Sequence, residues 1–438
     1  HPTESPLSPF AFLTMPVATS SQQQQQCASR WATYATRTAI PVQPWWKESP
    51  DNSSPSPGIS SSKDDKRIRI GYLSADFRAH PVAELIVELF EVHDRSRFDV
   101  IGYSYGPDDG SAIRSRMMAA FETFVDLREM PLAESIQRIS ADQVDILVDL
   151  TGFTQHARTE LLASRPAPIQ VNYLGYPGTL GADFVDYILV DHFIVPADRQ
   201  PFYNEALIHL PHCYQVNDTR REISSAIPTR RESGLPDEEF VYCSFNSNYK
   251  ITSAMFDVWM DLLKETPSSV LWLLESNRQA PANLRREAEK RGVDSSRLIF
   301  APRLPLPDHL ARHQLVDLFL DTFPVNAHTT ASDALWAGLP VLTLSGETFV
   351  SRVAGSLLQT IELPELVTFR PEDYKHRALQ LSRDPEELAE LRTRLRANRQ
   401  TPPVFDVRRS ARAIEKAFTI MHEIWRSGAS PRSFDVSE

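Results

Sequence analysis

The sequence predicts an α/β protein made of two consecutive Rossmann-like halves and a C-terminal helix. Three observations predict it. Short apolar runs alternate with helix-period segments along most of the chain, the pattern of parallel strands joined by crossover helices. A polar stretch, Asn217–Ser233, is followed by a new strand signal at Val241–Phe245, and the alternation then starts again. The 438 residues accommodate roughly two or three domains, and 42% hydrophobic residues suffice for full cores. Two such halves describe a two-lobed enzyme with a cleft between the lobes.

Residues 1–66 read as a helical arm and linker. Ser20–Thr38 has helix-compatible composition, with Trp31 and Tyr34 on one face. The Gln22–Gln26 tract is of low complexity, and Pro41–Lys63 is rich in Pro and Ser, as a linker is. Trp45-Trp46 suits an anchor on a neighbouring surface. The first lobe, 67–235, opens with strand Arg67–Leu73. Pro81 fits the first position of helix Val82–His93, which puts His80 at its cap. Strand Phe98–Tyr103, helix Ser111–Ala120, strand Phe124–Asp126, helix Leu132–Ser140 and strands Val144–Leu150, Ile169–Leu174 and Tyr187–Val190 continue the series. The second lobe, 236–405, runs through strand Tyr242–Phe245, helix Ser253–Glu265, strand Val270–Leu274, helix Pro281–Arg291, strand Leu298–Ala301 and helix Asp308–His313. After Leu344 come strand Leu366–Thr368 and helices Pro371–Arg383 and Pro385–Asn398. Residues 406–438 carry the amphipathic helix Val407–Trp425, with Ile414, Phe418, Met421 and Trp425 on one stripe, the mark of a core face.

Leu315–Leu344 is the stretch with most chemistry in it. Leu315–Leu320 reads as a buried strand and Phe323–Ala327 as a loop. His328-Thr329-Thr330 stands where a helix begins, with hydroxyls to cap it and N–H groups still unpaired. Ala331–Ala337 is the helix, Gly338-Leu339-Pro340 stops it, and Pro340–Leu344 is the next strand. A helix start just past the carboxyl end of a strand is a natural diphosphate site. It is equally an ordinary αβ unit with a good cap.

Composition excludes several classes. A formal net charge of −11 argues against a nucleic-acid backbone as main partner. The three cysteines, Cys27, Cys213 and Cys243, are far apart, which argues against a disulfide framework or zinc site and fits a reducing, cytoplasmic or nucleocytoplasmic compartment. No apolar run approaches the roughly 18 residues of a membrane helix, so no membrane partner is expected. The start has no signal-peptide pattern and no initiator Met, which fits a fragment of a longer protein. There is no P-loop, no GxSxG elbow, no HExxH and no D-x-D dyad for a metal-bound nucleotide sugar. A phosphate site here must rely on Lys, Arg and helix N-termini, and no metal ligand is assigned.

Individual residues admit two readings each. His80, past a strand and at a helix cap, suits a proton acceptor near neutral pH, or a structural cap. Lys250, after the first strand of the second half, suits the neutralisation of a diphosphate, or an ordinary surface lysine. Asp333, one turn into the helix after Thr329, suits a ribose hydroxyl, or the helix dipole. His309 and Arg312 complete this group.

Five long motifs occur in order: GYLSADFRAHP (Gly71–Pro81), RPAPIQVNYLGYPGTLGADFVDY (Arg165–Tyr187), VYCSFNSNYKI (Val241–Ile251), SSVLWLL (Ser268–Leu274) and LDTFPVNAHTTASDALWAGLPVLTLSGETFVSRVAGS (Leu320–Ser356). Through them the chain, from about Ile68 to Trp425, resembles the catalytic region of protein O-linked N-acetylglucosamine transferases, inverting enzymes of the two-lobed GT-B fold. The resemblance implies UDP-N-acetylglucosamine as donor, with no other cofactor, and Ser or Thr hydroxyls of proteins as acceptors. It implies catalytic roles for His80 and Lys250. It places the diphosphate at Lys250, His328, Thr329 and Thr330, ribose at Asp333, uracil near Leu304, and the nucleoside against His309 and Arg312. Ser247 and Tyr249 would lie near the phosphates or acceptor, and Pro177 and Thr179 near the sugar. Three positions depart from the family pattern: Leu306 replaces a familiar lysine, Ser247 a familiar glutamine, and Phe153 a histidine or tyrosine. No repeat at a period of about 34 residues is visible, so tetratricopeptide repeats belong upstream if present. Pro6–Leu13 and Cys27–Ala32 resemble the helical connection to them. A UDP-glucose-dependent protein glucosyltransferase and a non-catalytic sugar-nucleotide or protein-binding module are the other readings.

Overall fold

A computed structural model describes residues 5–40, 42–47, 67–399 and 403–438. The linker expected over Pro41–Lys63 lies outside them except for 42–47, where Trp45–Lys47 makes a single 3-10 turn. In chain order the strands of the first half are β1 Ile68–Ser74, β2 Phe98–Ser104, β3 Thr123–Asp126, β4 Ile146–Asp149, β5 Ile169–Asn172, β6 Tyr187–Asp191 and β7 Ala206–Leu210. Those of the second half are β8 Phe240–Ser244, β9 Ser269–Leu274, β10 Leu298–Ala301, β11 Leu318–Leu320, β12 Val341–Leu344 and β13 Val367–Thr368, and β14 Phe434–Asp435 follows the last helix.

The described residues fall into two compact units. The first comprises those within His1–Phe12, Ser21–Asp218 and Val407–Glu438, and the second Leu13–Ser20 and those within Thr219–Asp406. The division therefore falls near residue 218 rather than at 235. Composition set the polar stretch Asn217–Ser233 between the halves, but two of its arginines are anchored in the second unit. Arg221 pairs with Asp333 at 2.5 Å and Arg230 with Asp317 at 2.8 Å. The C-terminal helix, expected as a segment of its own, belongs to the first unit.

The first unit holds an eight-stranded parallel sheet in the order β14-β7-β6-β5-β4-β1-β2-β3. Strands after β1 grow one way to β3, then the chain returns to lay β4–β7 on the other side of β1. The order reverses between β1 and β4, which is where open α/β sheets bind ligands. Near-continuous apolar strands such as ILVD in β4 are buried throughout, as a sheet covered on both faces requires. One layer of that cover is aromatic: Phe90 lies 4.7 Å from Tyr72 and 4.5 Å from Phe121, ring centre to ring centre. The helix Val407–Arg426 closes it. Ile414, Phe418 and Met421 are buried, and Phe418 reaches Tyr72. Each such side chain contributes about 1.5–3 kcal/mol by leaving water. Buried Glu415 on this helix accepts from Asp94 N–H at 2.8 Å and meets His93 Nδ1 at 2.9 Å, while His93 Nε2 faces the Tyr72 hydroxyl at 2.8 Å.

The second unit holds a six-stranded parallel sheet, β10-β9-β8-β11-β12-β13. Its order reverses between β8 and β11. Helices Ser253–Glu265, Pro371–Arg383 and Pro385–Asn398 match the sequence expectation to the residue. The strand expected over Leu315–Leu320 is shorter, because His313–Leu315 closes a 3-10 turn and only Leu318–Leu320 pairs. No sequence signal marked β7 or β14, the first a five-residue run stopped by Pro211 and the second only two residues long. Among the described residues no helix is long and apolar enough to cross a membrane.

Candidate functional site

The site in the second unit is assembled at the reversal between β8 and β11. After β8 the chain runs Phe245-Asn246-Ser247 into a 3-10 turn, Asn248–Lys250, closed by Lys250 N–H to the Ser247 carbonyl at 3.0 Å. That turn brings Lys250 Nζ to 2.8 Å from the carbonyl of Asn326, in the loop after β11. The loop is held from beneath by Asp321, which is fully buried. Its Oδ1 accepts from the N–H groups of Thr322 (2.7 Å) and Ala327 (2.6 Å) and from Asn246 Nδ2 (3.3 Å). Its Oδ2 accepts from the Thr343 hydroxyl at 2.6 Å. Asn326 donates to the Thr322 and Leu344 carbonyls. Four residues thus weld the strand ends to one rigid loop, an arrangement suited to fixing a ligand group.

His328 occupies the cap position of helix Thr329–Trp336, but no side chain caps that helix. This corrects the expected hydroxyl cap. Thr330 Oγ1 instead donates to Asn246 Oδ1 at 2.5 Å. The first intrahelical bond is Ala331 N–H to the His328 carbonyl at 3.1 Å, so the Thr329 and Thr330 amides precede the ladder and are free to meet an anion. The electrostatics fit. Burial pulls the Lys250 ammonium down to about 8, with Asp321 partly resisting, and burial and then Lys250 pull His328 down to about 3. His328 is therefore neutral beside a cation that no carboxylate contacts directly, Asp321 acting on it only from a distance. Asp321, pushed up to about 6 by burial, is held down by its hydrogen bonds.

The remaining sequence-derived positions separate into three groups. His309 and Arg312 pack together against an aromatic wall: the Arg312 guanidinium lies 4.5 Å from the Phe245 ring centre, and its Nη1 donates to the Pro302 carbonyl at 2.6 Å. Arg312 Nη2 also meets His309 Nδ1. Burial, then neighbouring His313 and Arg312, lower His309 to about 2. Asp333 is buried and engaged by Arg221, and burial raises it to about 6 despite that partner. Leu304 and Tyr249 are exposed, and Ser247 is half-buried.

In the first unit, His80 caps helix Pro81–Val92 as expected, its Nδ1 accepting from Val82 N–H at 3.3 Å. Its Nε2 lies 3.6 Å from Asp76 Oδ1. Burial lowers the His80 pKa, Asp76 opposes this, and Arg78 adds to it. Asp76, two residues past β1, and Asp149, the last residue of β4, stand on the two sides of the sheet reversal, and burial raises both. The close approach of Gly106 fixes the turn after β1: a Cβ there would stand 1.8 Å from the Ala75 carbonyl oxygen. Pro177 and Thr179 are buried. The Thr179 hydroxyl is turned inward, donating to Glu205 Oε2 at 2.5 Å and accepting from Gly181 N–H at 2.9 Å. Gly181 has φ +60, and helix Ser21–Ala35 passes so close that a Cβ would meet Ser29 N at 2.6 Å.

Asp76, Asn246, Asp321, Asn326 and Arg221 are the members that sequence reasoning missed. An acid four residues before His80, and an acid closing a strand beside the Lys250 strand, were the available signals.

Comparison with known proteins places these features in context. The family model described as Glycosyl transferase family 41 matches residues 56–225 and 220–414. A probable UDP-N-acetylglucosamine–peptide N-acetylglucosaminyltransferase of Arabidopsis thaliana is 37% identical over 379 residues, covering 85% of this chain and 39% of that protein. A UDP-N-acetylglucosamine–peptide N-acetylglucosaminyltransferase of Caenorhabditis elegans is 29% identical over 480 residues, covering 84% of this chain and 42% of that protein. The chain thus spans about two fifths of the length of these curated relatives. The structure of a Thermobaculum terrenum O-GlcNAc transferase mutant superposes with a TM-score of 0.83 at 29% identity, covering 96% of this chain and 78% of that one.

Proposed function

From the premise that this chain belongs to glycosyl transferase family 41, we propose that it transfers N-acetylglucosamine from UDP-N-acetylglucosamine to Ser or Thr hydroxyls of proteins, with inversion and without a metal in the reaction. The observation that carries this reading is Lys250. Its ammonium is held 2.8 Å from the Asn326 carbonyl, next to a helix start whose first amides are uncapped. A half-buried cation with a lowered pKa and no carboxylate in direct contact calls for an anionic ligand, and a diphosphate supplies it.

In this reading the acceptor oxygen attacks the anomeric carbon opposite the leaving group. The bond from that carbon to the phosphate oxygen breaks, and its electron pair leaves with UDP. Lys250, Thr329 and Thr330 stabilise the departing charge, with neutral His328 beside them. The acceptor proton goes to His80, positioned by Asp76, or to a phosphate oxygen. Arg312 and His309 pack around the nucleoside, with uracil near Leu304. Asp333 binds ribose by the oxygen that Arg221 leaves open. Ser247 and Tyr249 border the phosphates and Pro177 the sugar, while Thr179 acts by holding the Pro177–Gly181 loop. The chain works in the cytoplasm or nucleocytoplasm, and upstream repeats would recruit acceptors.

The test is mass spectrometry of an acceptor-protein mixture incubated with labelled UDP-N-acetylglucosamine, with unlabelled UDP-glucose as competitor. The expected result is a Ser/Thr-linked N-acetylhexosamine. Lys250→Ala should slow transfer by about 10²–10³-fold, as loss of one preorganised charge donor does. An unchanged rate in that variant would remove the role given to Lys250.

A further inference from the structure

Three strands at one edge of the first unit's sheet bring two histidines and an aspartate together. His209 in β7 is paired with Val190 of β6 on one side and with Asp435 of β14 on the other. His192 lies two residues past Val190, so the period of two along a strand returns it to the same face. The imidazoles of His192 and His209 stack with ring centres 4.1 Å apart. Asp435 Oδ1 lies 3.2 Å from His192 Nε2 and 3.3 Å from His209 Nδ1.

The proton inventory of this cluster is unbalanced. His209 Nε2 lies 2.8 Å from the Val195 carbonyl, which can only accept, so Nε2 carries the ring proton. Nδ1 of neutral His209 then presents a lone pair to a carboxylate, acceptor against acceptor. A metal cation relieves it without charging the ring. The donor set has the features of a metal site. A histidine ligand commonly donates its other N–H to a backbone carbonyl, as His209 does. With bonds of about 2.0–2.1 Å, tetrahedral ligands stand about 3.3 Å apart, which matches both aspartate–histidine distances. Among the described residues this is the one group of three His, Cys, Asp or Glu whose ligand atoms, all within 4.8 Å of one another, could hold an ion. Two imidazoles and one carboxylate favour a borderline divalent cation over calcium or magnesium, which take oxygen ligands.

We propose that His192, His209 and Asp435 form a site for a divalent cation of the zinc class, with water in the remaining position, that fastens β14 to the edge of the sheet. The expectation of no zinc site rested on cysteine spacing, and this cluster uses no cysteine. His192, exposed at the surface, turns out of the stack to direct Nε2 at the ion. β5 and β4 separate β6 from β1, after which His80 stands, so the site is structural and takes no part in sugar transfer.

The experiment is zinc titration of the untagged chain against a chromophoric chelator, with cobalt absorption reporting geometry. It compares the natural chain with His192→Ala, His192→Gln and Asp435→Asn, each checked for retained circular dichroism. The expected result is one zinc per chain, bound at least tenfold more weakly in each variant. Zinc should raise the melting temperature of the natural chain only, with transfer activity the same in all four proteins. Equal zinc affinity in the natural chain and the folded variants, or no zinc binding by the natural chain, overturns the proposal.

Discussion

Lys250 and Asp321 carry opposite charges beneath one loop, and each is displaced from its usual pKa by burial. For Lys250 the sign is direct. The folded protein holds the ammonium at about 8, and a bound diphosphate favours the charged form and raises that value. UDP binding is therefore expected to take up protons above about pH 8, and its affinity to weaken as pH rises past that point, by up to about tenfold per unit. Calorimetry in two buffers of different ionisation enthalpy checks the proton count, and Lys250→Met should abolish it. Asp321→Ala leaves two loop amides and the Asn246 and Thr343 donors without their acceptor. The expected loss is about 4 kcal/mol or more in chemical denaturation, since each of the four orphaned buried donors costs about 1–3 kcal/mol. Of these two residues only Lys250 was legible in the sequence, because it follows a strand in a family motif. Asp321 is one of two acids flanking a short apolar run, and only the folded loop reveals which one accepts four hydrogen bonds.

Helix and turn elements set the acid response. Burial lowers His309 to about 2 and His313 and His328 to about 3, whereas an unfolded chain protonates them near 6.5. The unfolded state thus binds more protons below pH 6.5. Stability of the second unit is expected to be full above that pH and to fall below it, by about 1.4 kcal/mol per unit for each histidine. Asp321 and Asp333, raised to about 6, work the other way. They gain protons in the folded state first, so between about pH 6 and 4 they offset two of the three histidines. Denaturant midpoints measured from pH 7.5 to 5 should show the steepest loss just below 6.5. In the first unit, burial lowers His80, so the acid limb of kcat/KM should lie below the ordinary histidine value and disappear in His80→Ala. The elements themselves were largely readable, since strand and helix periods differ and Pro marked several helix starts. What periodicity missed was short pairing: β14 has only two residues, and its partner strand decides its existence.

At the scale of the whole molecule the first unit is discontinuous in sequence. Its core is completed by Val407–Arg426, which the sequence offered as a separate amphipathic segment because periodicity tells that a face is buried and not against what. Glu415→Ala removes the acceptor for Asp94 N–H and the partner of His93. A loss of about 3 kcal/mol is expected, appearing in calorimetry as an earlier melting transition for the first unit with the second unchanged. The same discontinuity orders events on the ribosome. All residues of Thr219–Asp406 are made before the helix that covers Tyr72 and Phe90. The second unit can therefore be native while the first still exposes an aromatic patch to other nascent chains, and every molecule passes through an interval in which it is a client for chaperones.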